Sequence, residues 1–167
     1  MFRKIEDFLN TYQHLQKDTL KLFQQLSDEI LNQQVAAGHR TLGGIAWHIA
    51  TAIPEMMKLT GLPLSAIDEK ALPPASASEI RKAYQKASAE LSEAVKNHWN
   101  DQDLLIEDEM YGEKWARGLT LTALIHHEIH HRGQMTVLLR QVGQKVPGLY
   151  GPAKEEWKEM GMEEPPY

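Results

Sequence analysis

The chain has 167 residues, contains no cysteine and carries a formal net charge of −5 at pH 7. A chain of this length buries roughly 70% of its unfolded surface, so we expect a single domain over residues 1–167 that needs no disulfides. The absence of cysteine fits a reducing compartment and predicts a cytoplasmic protein. The acidic charge and the scattered basic residues exclude nucleic acid as the main partner. No apolar run reaches the ~18 residues of a membrane span, and no signal peptide is expected.

The apolar residues of the first half of the chain recur at helical spacing. A first helix is predicted over residues 4–33, where apolar side chains are separated by three and four positions. A second helix is predicted over residues 42–59, with Thr41 as its N-cap and with a kink or an early end at Pro54. Residues 61–75 contain three prolines and are expected to form a long connection.

The second half of the chain contains two more helices and an irregular stretch between them. The third helix is predicted over residues 76–99, where Ser-Ala-Ser-Glu opens it with capping-box spacing. Residues 100–118 are polar, and a short hairpin fits their composition. The fourth helix is predicted over about 119–142 and ends at Gly143, a C-capping residue. A short amphipathic helix is expected near Trp157.

Four long helices in one small domain predict an all-α four-helix bundle. The long connections after the second and the third helices allow crossovers in place of a simple up-and-down arrangement. The short C-terminal helix completes the predicted fold.

Four of the eight histidines lie within six residues of the predicted fourth helix, as His126, His127, His130 and His131. Two histidines at positions i and i+4 project from one face of a helix and can bind one metal ion. At about 100° per residue, His131 lies about 40° and His127 about 75° from the centre of the apolar stripe. His126 and His130 lie on the outer face. The inward pair, His127 and His131, is therefore the predicted pair of metal ligands.

Two imidazoles leave a metal ion short of ligands, because zinc sites that support chemistry use three protein ligands and one open position. His48 is the best candidate for the third ligand, since it flanks the apolar face of the predicted second helix. A neutral histidine in such a setting needs hydrogen bonds or a metal to offset its desolvation. A lone histidine of this kind is more often an ordinary core residue. The other candidates, His14, His39 and His98, fit the role less well.

The segment His127-Glu128-x-x-His131 also matches the H-E-x-x-H pattern of zincin proteases, in which the glutamate acts as general base on a metal-bound water. The match is short, and the chain offers neither a convincing edge strand nor a third ligand after His131. Glu128 is the one candidate for a catalytic residue. It points about 25° from the centre of the apolar stripe. A salt bridge to an arginine or lysine of a neighbouring helix is the favoured interpretation.

Two segments resemble the DinB-like family, which includes the YfiT-type metal-dependent hydrolases and thiol transferases. The first is Thr-Leu-Gly-Gly-Ile-Ala-Trp-His at residues 41–48, and the second is Leu-Ile-His-His-Glu-Ile-His-His-Arg-Gly-Gln at residues 124–134. The resemblance covers nearly the whole chain. It implies a four-helix bundle, a divalent metal held by His48, His127 and His131, and a homodimer.

The resemblance also implies thiol chemistry and a role in stress response. Family members of known role join low-molecular-weight thiols to electrophiles or isomerise substrates with a thiol cofactor. Our first hypothesis is a zinc- or nickel-dependent transferase that acts on an external thiol and an electrophilic small molecule. Zincin-like hydrolysis is the second hypothesis, and a non-enzymatic, metal-stabilised binding protein is the third. Trp47, Glu128 and Gln134 are expected beside the metal, and Gly133 predicts a dimer face on the back of the fourth helix.

Overall fold

The computed structural model describes residues 1–65, 67–68 and 70–166. It contains four long helices, α1 (Ile5–Phe23), α2 (Leu42–Leu59), α3 (Ala77–His98) and α4 (Arg117–Gln141). Between α3 and α4 lies an antiparallel hairpin of β1 (Glu107–Met110) and β2 (Glu113–Ala116), and α5 (Glu156–Glu159) is a short C-terminal helix. The predicted all-α four-helix bundle is confirmed.

Each long helix packs against two others. Helix α2 lies against α3 and α4, and α1 lies against the same two helices. Helices α1 and α2 are therefore diagonal across the bundle, so the connection between them is a crossover, as is the one between α3 and α4. The long connection after α2 joins neighbouring helices. The contact between α2 and α4 matters most for function, because the candidate ligands lie on these two helices.

Helix α1 is shorter than the predicted helix over residues 4–33. It ends at Phe23, and Asp28–Ile30 form a separate 3-10 turn. The Asp28 carboxylate accepts a hydrogen bond of 2.7 Å from the backbone N–H of Ala77 and so binds the first turn of α3. The prediction was wrong because Leu26 and Ile30 keep the helical spacing and pack against the core after Phe23, where the chain is no longer α-helical.

The ends of the other helices follow their capping residues. Thr41 and Ser76 each accept a hydrogen bond from the backbone N–H three residues later, at 2.9 and 3.4 Å, so both predicted N-caps are confirmed. Helix α2 continues through Pro54, and the early end does not occur. Gly143 follows α4 with a φ of 75°, which confirms the predicted C-cap because this backbone conformation favours glycine.

The hairpin that fits residues 100–118 is present as β1 and β2. Its two-residue turn consists of Tyr111 and Gly112, whose φ values of 54° and 87° are both positive. Mirror-image turns of this kind match the twist of the two strands. One face of the hairpin rests on the bundle, with Met110 buried and Trp115 partly buried, and the other face is exposed.

Candidate metal centre

Three histidines meet where α2 packs against α4. His48 lies on α2, and His127 and His131 lie one turn apart on α4. The Nε2 atoms of His127 and His48 are 3.0 Å apart, and those of His131 and His127 are 3.1 Å apart. One ligand nitrogen from each ring lies within 4.8 Å of the other two. The fold thus brings together the three histidines that the sequence proposes as ligands.

The spacing of these nitrogens suits a metal ion. With metal–nitrogen bonds of about 2.0–2.1 Å, two ligands of a tetrahedral zinc ion are about 3.3 Å apart. The observed 3.0 and 3.1 Å are close to that value. Hydrogen bonding alone satisfies the group poorly, because one neutral Nε2 atom either donates or accepts and here faces two others. The three residues can therefore hold a divalent cation.

Gln134 orients one of the three rings. Its Oε1 lies 2.7 Å from Nδ1 of His131, and its Nε2 lies 3.0 Å from Nε2 of His130. With the amide oxygen as acceptor, the proton of neutral His131 sits on Nδ1 and the Nε2 lone pair points at the other two rings. Partners of this kind fix the tautomer of metal-binding histidines. The exposed His130 contributes indirectly, because it holds Gln134 in place.

The surroundings keep all three imidazoles neutral. Burial lowers the pKa of His48 to about 4, and the positive charge of Arg40 acts in the same direction. Burial also lowers the pKa of His127 to about 4, with His131 as the next largest cause. The pKa of His131 is lowered by burial as well, although its hydrogen bond with Gln134 opposes the shift. Since metals bind neutral imidazole, the ligands are ready at neutral pH.

Glu128 lies in the bundle core and is 1% exposed. Its Oε1 accepts hydrogen bonds from the hydroxyls of Tyr84, at 2.6 Å, and Thr19, which lie on α3 and α1. Burial raises the pKa of Glu128 to about 7, while the two hydroxyls and the charge of Arg132 lower it. Among the described residues, no arginine or lysine of a neighbouring helix pairs with Glu128, so the predicted salt bridge is wrong. Hydroxyl donors take its place.

Arg132, one turn after Glu128, is likewise 1% exposed. Its Nη1 lies 3.8 Å from the Asp18 carboxylate of α1. Its Nη2 donates a hydrogen bond of 2.9 Å to the Tyr150 hydroxyl, and the guanidinium carbon lies 5.4 Å from the centre of that ring. Arg132 thus holds α1 and the C-terminal segment against α4.

A cavity of about 510 Å³ opens beside His48 and His127. Its walls include Glu55 of α2 and the rings of Tyr111 and Trp115, and we call it the hairpin cavity. The Tyr111 hydroxyl donates a hydrogen bond to the Glu55 carboxylate at 3.0 Å. The ring centres of Tyr111 and Trp115 are 5.8 Å apart. A bulky residue with positive φ is strained, and strain of this kind clusters at functional sites. The strained turn carries an aromatic wall of the cavity.

A second cavity, of about 410 Å³, reaches the third histidine, His131. It is lined by His39 and Arg40 of the loop before α2, by Gln134 and by apolar side chains, and we call it the loop cavity. No carboxylate is among the described residues that line it. The three histidines thus border two cavities, of which one contains the carboxylate of Glu55 and the other the guanidinium of Arg40.

The remaining candidates lie outside these cavities. Trp47 donates from Nε1 to the carbonyl oxygen of Ala71 at 2.7 Å, so its ring anchors the long connection after α2. His126 is exposed on α4, as its position on the helix predicts. His14 and His98 are exposed as well.

Four of the side chains that line the cavities and bear on their chemistry were not predicted from the sequence. Glu55 was detectable, because it follows His48 by seven positions, which is close to two helical turns. Tyr111, Trp115 and Arg40 lie outside the helices, so helical periodicity cannot place them. The Tyr-Gly pair of the turn indicates a hairpin but not what the hairpin covers.

Comparison with known proteins decides the family. The family model described as "DinB family" matches residues 1–165. The chain belongs to the DinB family. The YrdA protein of Bacillus subtilis (strain 168) is 42% identical to it over 165 residues, which cover 99% of each chain. The resemblance inferred from the two histidine-bearing segments is therefore confirmed.

Solved structures of DinB-like proteins share the fold. A DinB-like protein from Bacillus cereus ATCC 10987, whose crystal structure was determined at 2.01 Å, is 41% identical with a TM-score of 0.85, covering 90% of this chain and 100% of that one. The DinB-like protein YjoA from Bacillus subtilis is 15% identical with a TM-score of 0.69, covering 88% of this chain and 99% of that one. At 15% identity, the second likeness shows the fold alone.

Two further expectations for this DinB-family chain concern the membrane and a dimer partner. Over the part of the chain that the structure describes, no helix is long and apolar enough to cross a bilayer. Gly133 is exposed, and apart from the adjacent residues and backbone of α4, no atom of the described residues lies within 4 Å of the place where its Cβ would stand. The outer face of α4 is open there, and the homodimer stays a prediction.

Proposed function

We propose that this DinB-family protein binds a divalent metal ion, zinc or nickel, through His48, His127 and His131 and transfers low-molecular-weight thiols to electrophilic small molecules. The observation that carries the proposal is the convergence of three imidazole nitrogens beside two cavities. Neutral imidazoles leave the full charge of a bound ion in place. When bound, such an ion would lower the pKa of a thiol or water at its open position.

The thiol must come from outside, because the chain contains no cysteine. We propose a cytoplasmic location, where low-molecular-weight thiols stay reduced. In the reaction, the sulfur forms a bond to the electrophilic carbon and the leaving group departs with the electron pair of its bond. The thiol proton passes to solvent. Neither an oxidant nor a reductant is required.

The hairpin cavity suits the electrophile. Its walls combine the aromatic rings of Tyr111 and Trp115 with the apolar side chains of Ala52 and Met56, as small-molecule pockets typically do. Because His48 borders the same cavity, an electrophile bound there lies next to the metal centre. Holding two reactants side by side in this way removes much of the entropic barrier of a bimolecular reaction.

The zincin-like alternative receives no support from Glu128. That mechanism needs the glutamate to act on a water at the metal. The Oε1 atom of Glu128 instead accepts hydrogen bonds from Thr19 and Tyr84, on the two helices that carry none of the three histidines. These hydrogen bonds of Glu128 argue against its role as a zincin-type general base.

The test compares His48→Ala with His126→Ala, a matched loss of an exposed histidine from the same cluster. Protein purified without a histidine tag is loaded with zinc or nickel and mixed with a panel of thiols and aryl or alkyl halides. We expect thiol-dependent product formation by the wild type and His126→Ala and its loss in His48→Ala.

Other outcomes of this test favour the other hypotheses. No turnover with any pair of substrates, together with a metal-dependent rise in melting temperature, would support a metal-stabilised binding protein. Cleavage of a denatured protein by the wild type but not by Glu128→Gln would support the zincin-like hydrolase.

A further inference from the structure

The loop cavity is lined by an exposed cation, Arg40, that no side chain in the described part of the chain neutralises. Arg40 lines this cavity together with His131, one of the three candidate ligands. Within residues 1–65, 67–68 and 70–166, no carboxylate pairs with its guanidinium and no acceptor forms a hydrogen bond with it. A guanidinium presents five N–H donors, so Arg40 has its whole donor set available to a ligand.

The loop that carries Arg40 is held in place by its own contacts. Gln34 and Thr41 form an isolated antiparallel bridge that closes the loop. The Gln34 side chain donates from Nε2 to the carbonyl oxygen of His39 at 2.8 Å, and Gly38 turns the chain with a φ of 79°. These contacts fix the backbone of Arg40 at the edge of the cavity. Because the loop is fixed in advance, a ligand that binds Arg40 does not have to order the loop backbone.

Arg40 also lies close to the metal centre. It lines the same cavity as His131, one of the three candidate ligands. A divalent ion beside Arg40 would bring like charges together. An anionic ligand that reaches both would relieve this repulsion.

We infer that the thiol substrate is an anion whose carboxylate binds to Arg40 in the loop cavity while its sulfur reaches the three histidines. This inference rests on the proposed function and names the class of its thiol: a small molecule with a carboxylate a few bonds from the sulfur. Arginine suits this ligand because its planar fork forms two parallel hydrogen bonds with a carboxylate. The hairpin cavity, where the Glu55 carboxylate would repel such a group, is left to the electrophile.

The experiment measures thiol binding without turnover. Cobalt-loaded protein is titrated with 3-mercaptopropionate and with 3-mercaptopropionamide, which differ only in the charged group, and the sulfur-to-cobalt absorption band gives each Kd. We expect the wild type to bind the carboxylate about tenfold more tightly than the amide, since charge-assisted bidentate bonds are strong. In Arg40→Gln the two thiols should bind equally, whereas Arg40→Lys should retain part of the preference because it keeps the charge.

The matched control is Arg3→Gln, which removes one positive charge from an exposed residue outside both cavities. This variant should keep the wild-type preference, which excludes an effect of net charge. An equal preference for the carboxylate in wild type and Arg40→Gln would overturn the role of Arg40, even though the metal site stands. If the protein acquires no cobalt band at all, the metal site itself is contradicted and the inference fails with it.

Discussion

Helix α4 carries two pairs of residues, and the two members of each pair are four positions apart. One pair borders the cavities and the other lies in the core. His127 and His131 border the cavities, whereas Glu128 and Arg132 are each 1% exposed and lie in the core. The pairs are offset by one residue, which corresponds to about 100° around the helix. The H-E-x-x-H pattern contains both histidines and Glu128, so it mixes two cavity-lining residues with one that packs inside the bundle.

The two pairs also differ in their hydrogen-bond partners. The core pair, Glu128 and Arg132, is bound by side chains from other parts of the chain, namely Thr19, Tyr84 and Tyr150. The histidine pair turns one nitrogen of each ring toward a third histidine, His48, while the other ring nitrogen of His131 is bound by Gln134 of the same helix. Loss of a core residue should therefore lower the stability of the fold, and loss of a site residue should lower ligand binding.

The largest effect on stability is expected from Glu128→Ala. The substitution removes the acceptor of two buried hydroxyls, so the free energy of unfolding of the metal-free protein should fall by about 3 kcal/mol. Urea unfolding measures this loss. Glu128→Gln, which keeps one acceptor oxygen, should lose less. A loss below about 1 kcal/mol for the alanine variant would contradict a structural role for Glu128.

Stabilisation by added metal should depend on the histidine pair and not on the core pair. At a free metal concentration of 100 times Kd, binding should raise the free energy of unfolding by about 2.7 kcal/mol. The gain should vanish in His131→Ala and persist in His126→Ala, as thermal unfolding with and without metal would show. If His131→Ala were stabilised by metal as strongly as the wild type, the ligands would have to lie elsewhere.

A smaller effect is expected from Gln134→Ala, which leaves both pairs intact but releases the ring of His131. Loss of the hydrogen-bond partner of a metal-binding histidine typically weakens metal binding about tenfold or more. Competition with a chelator gives the Kd. Gln85→Ala, at an exposed position of α3, is the matched control. Unchanged metal affinity in Gln134→Ala would mean that the tautomer of His131 is set by another group.

The smallest effect on stability is expected where Arg132 contacts Tyr150. Tyr150→Ala removes one hydrogen bond and one cation–π contact from Arg132, which should cost about 1 kcal/mol of stability. Tyr150→Phe should recover part of this loss because it keeps the ring. Metal affinity should not change in either variant, and a change would couple the C-terminal segment to the metal centre.

The helices and the inward direction of the histidines were predictable because both follow from local periodicity. The spacing of apolar residues on α4 was sufficient to separate His127 and His131 from His126 and His130. The same periodicity failed after Phe23, since a buried non-helical segment can show helical spacing. Capping residues located the starts of α2 and α3 correctly.

The parts of the site that escaped prediction depend on long-range contacts. Arg40 and Tyr111 lie on a loop and a turn, and only the folded chain shows that they border the cavities next to the histidines. The partners of Glu128 were unpredictable for a similar reason. Thr19 and Tyr84 are separated from it by 109 and 44 residues, and no local pattern marks a hydroxyl as the partner of a buried carboxylate.

The metal content of the protein tests the three-histidine centre most directly. Untagged wild type, His48→Ala and His126→Ala are exposed to excess zinc or nickel, passed through a desalting column and examined by elemental analysis. We expect one tightly bound ion per chain in the wild type and in His126→Ala, and none in His48→Ala. A wild type without metal, or a His48→Ala variant that retains it, would contradict the three-histidine centre.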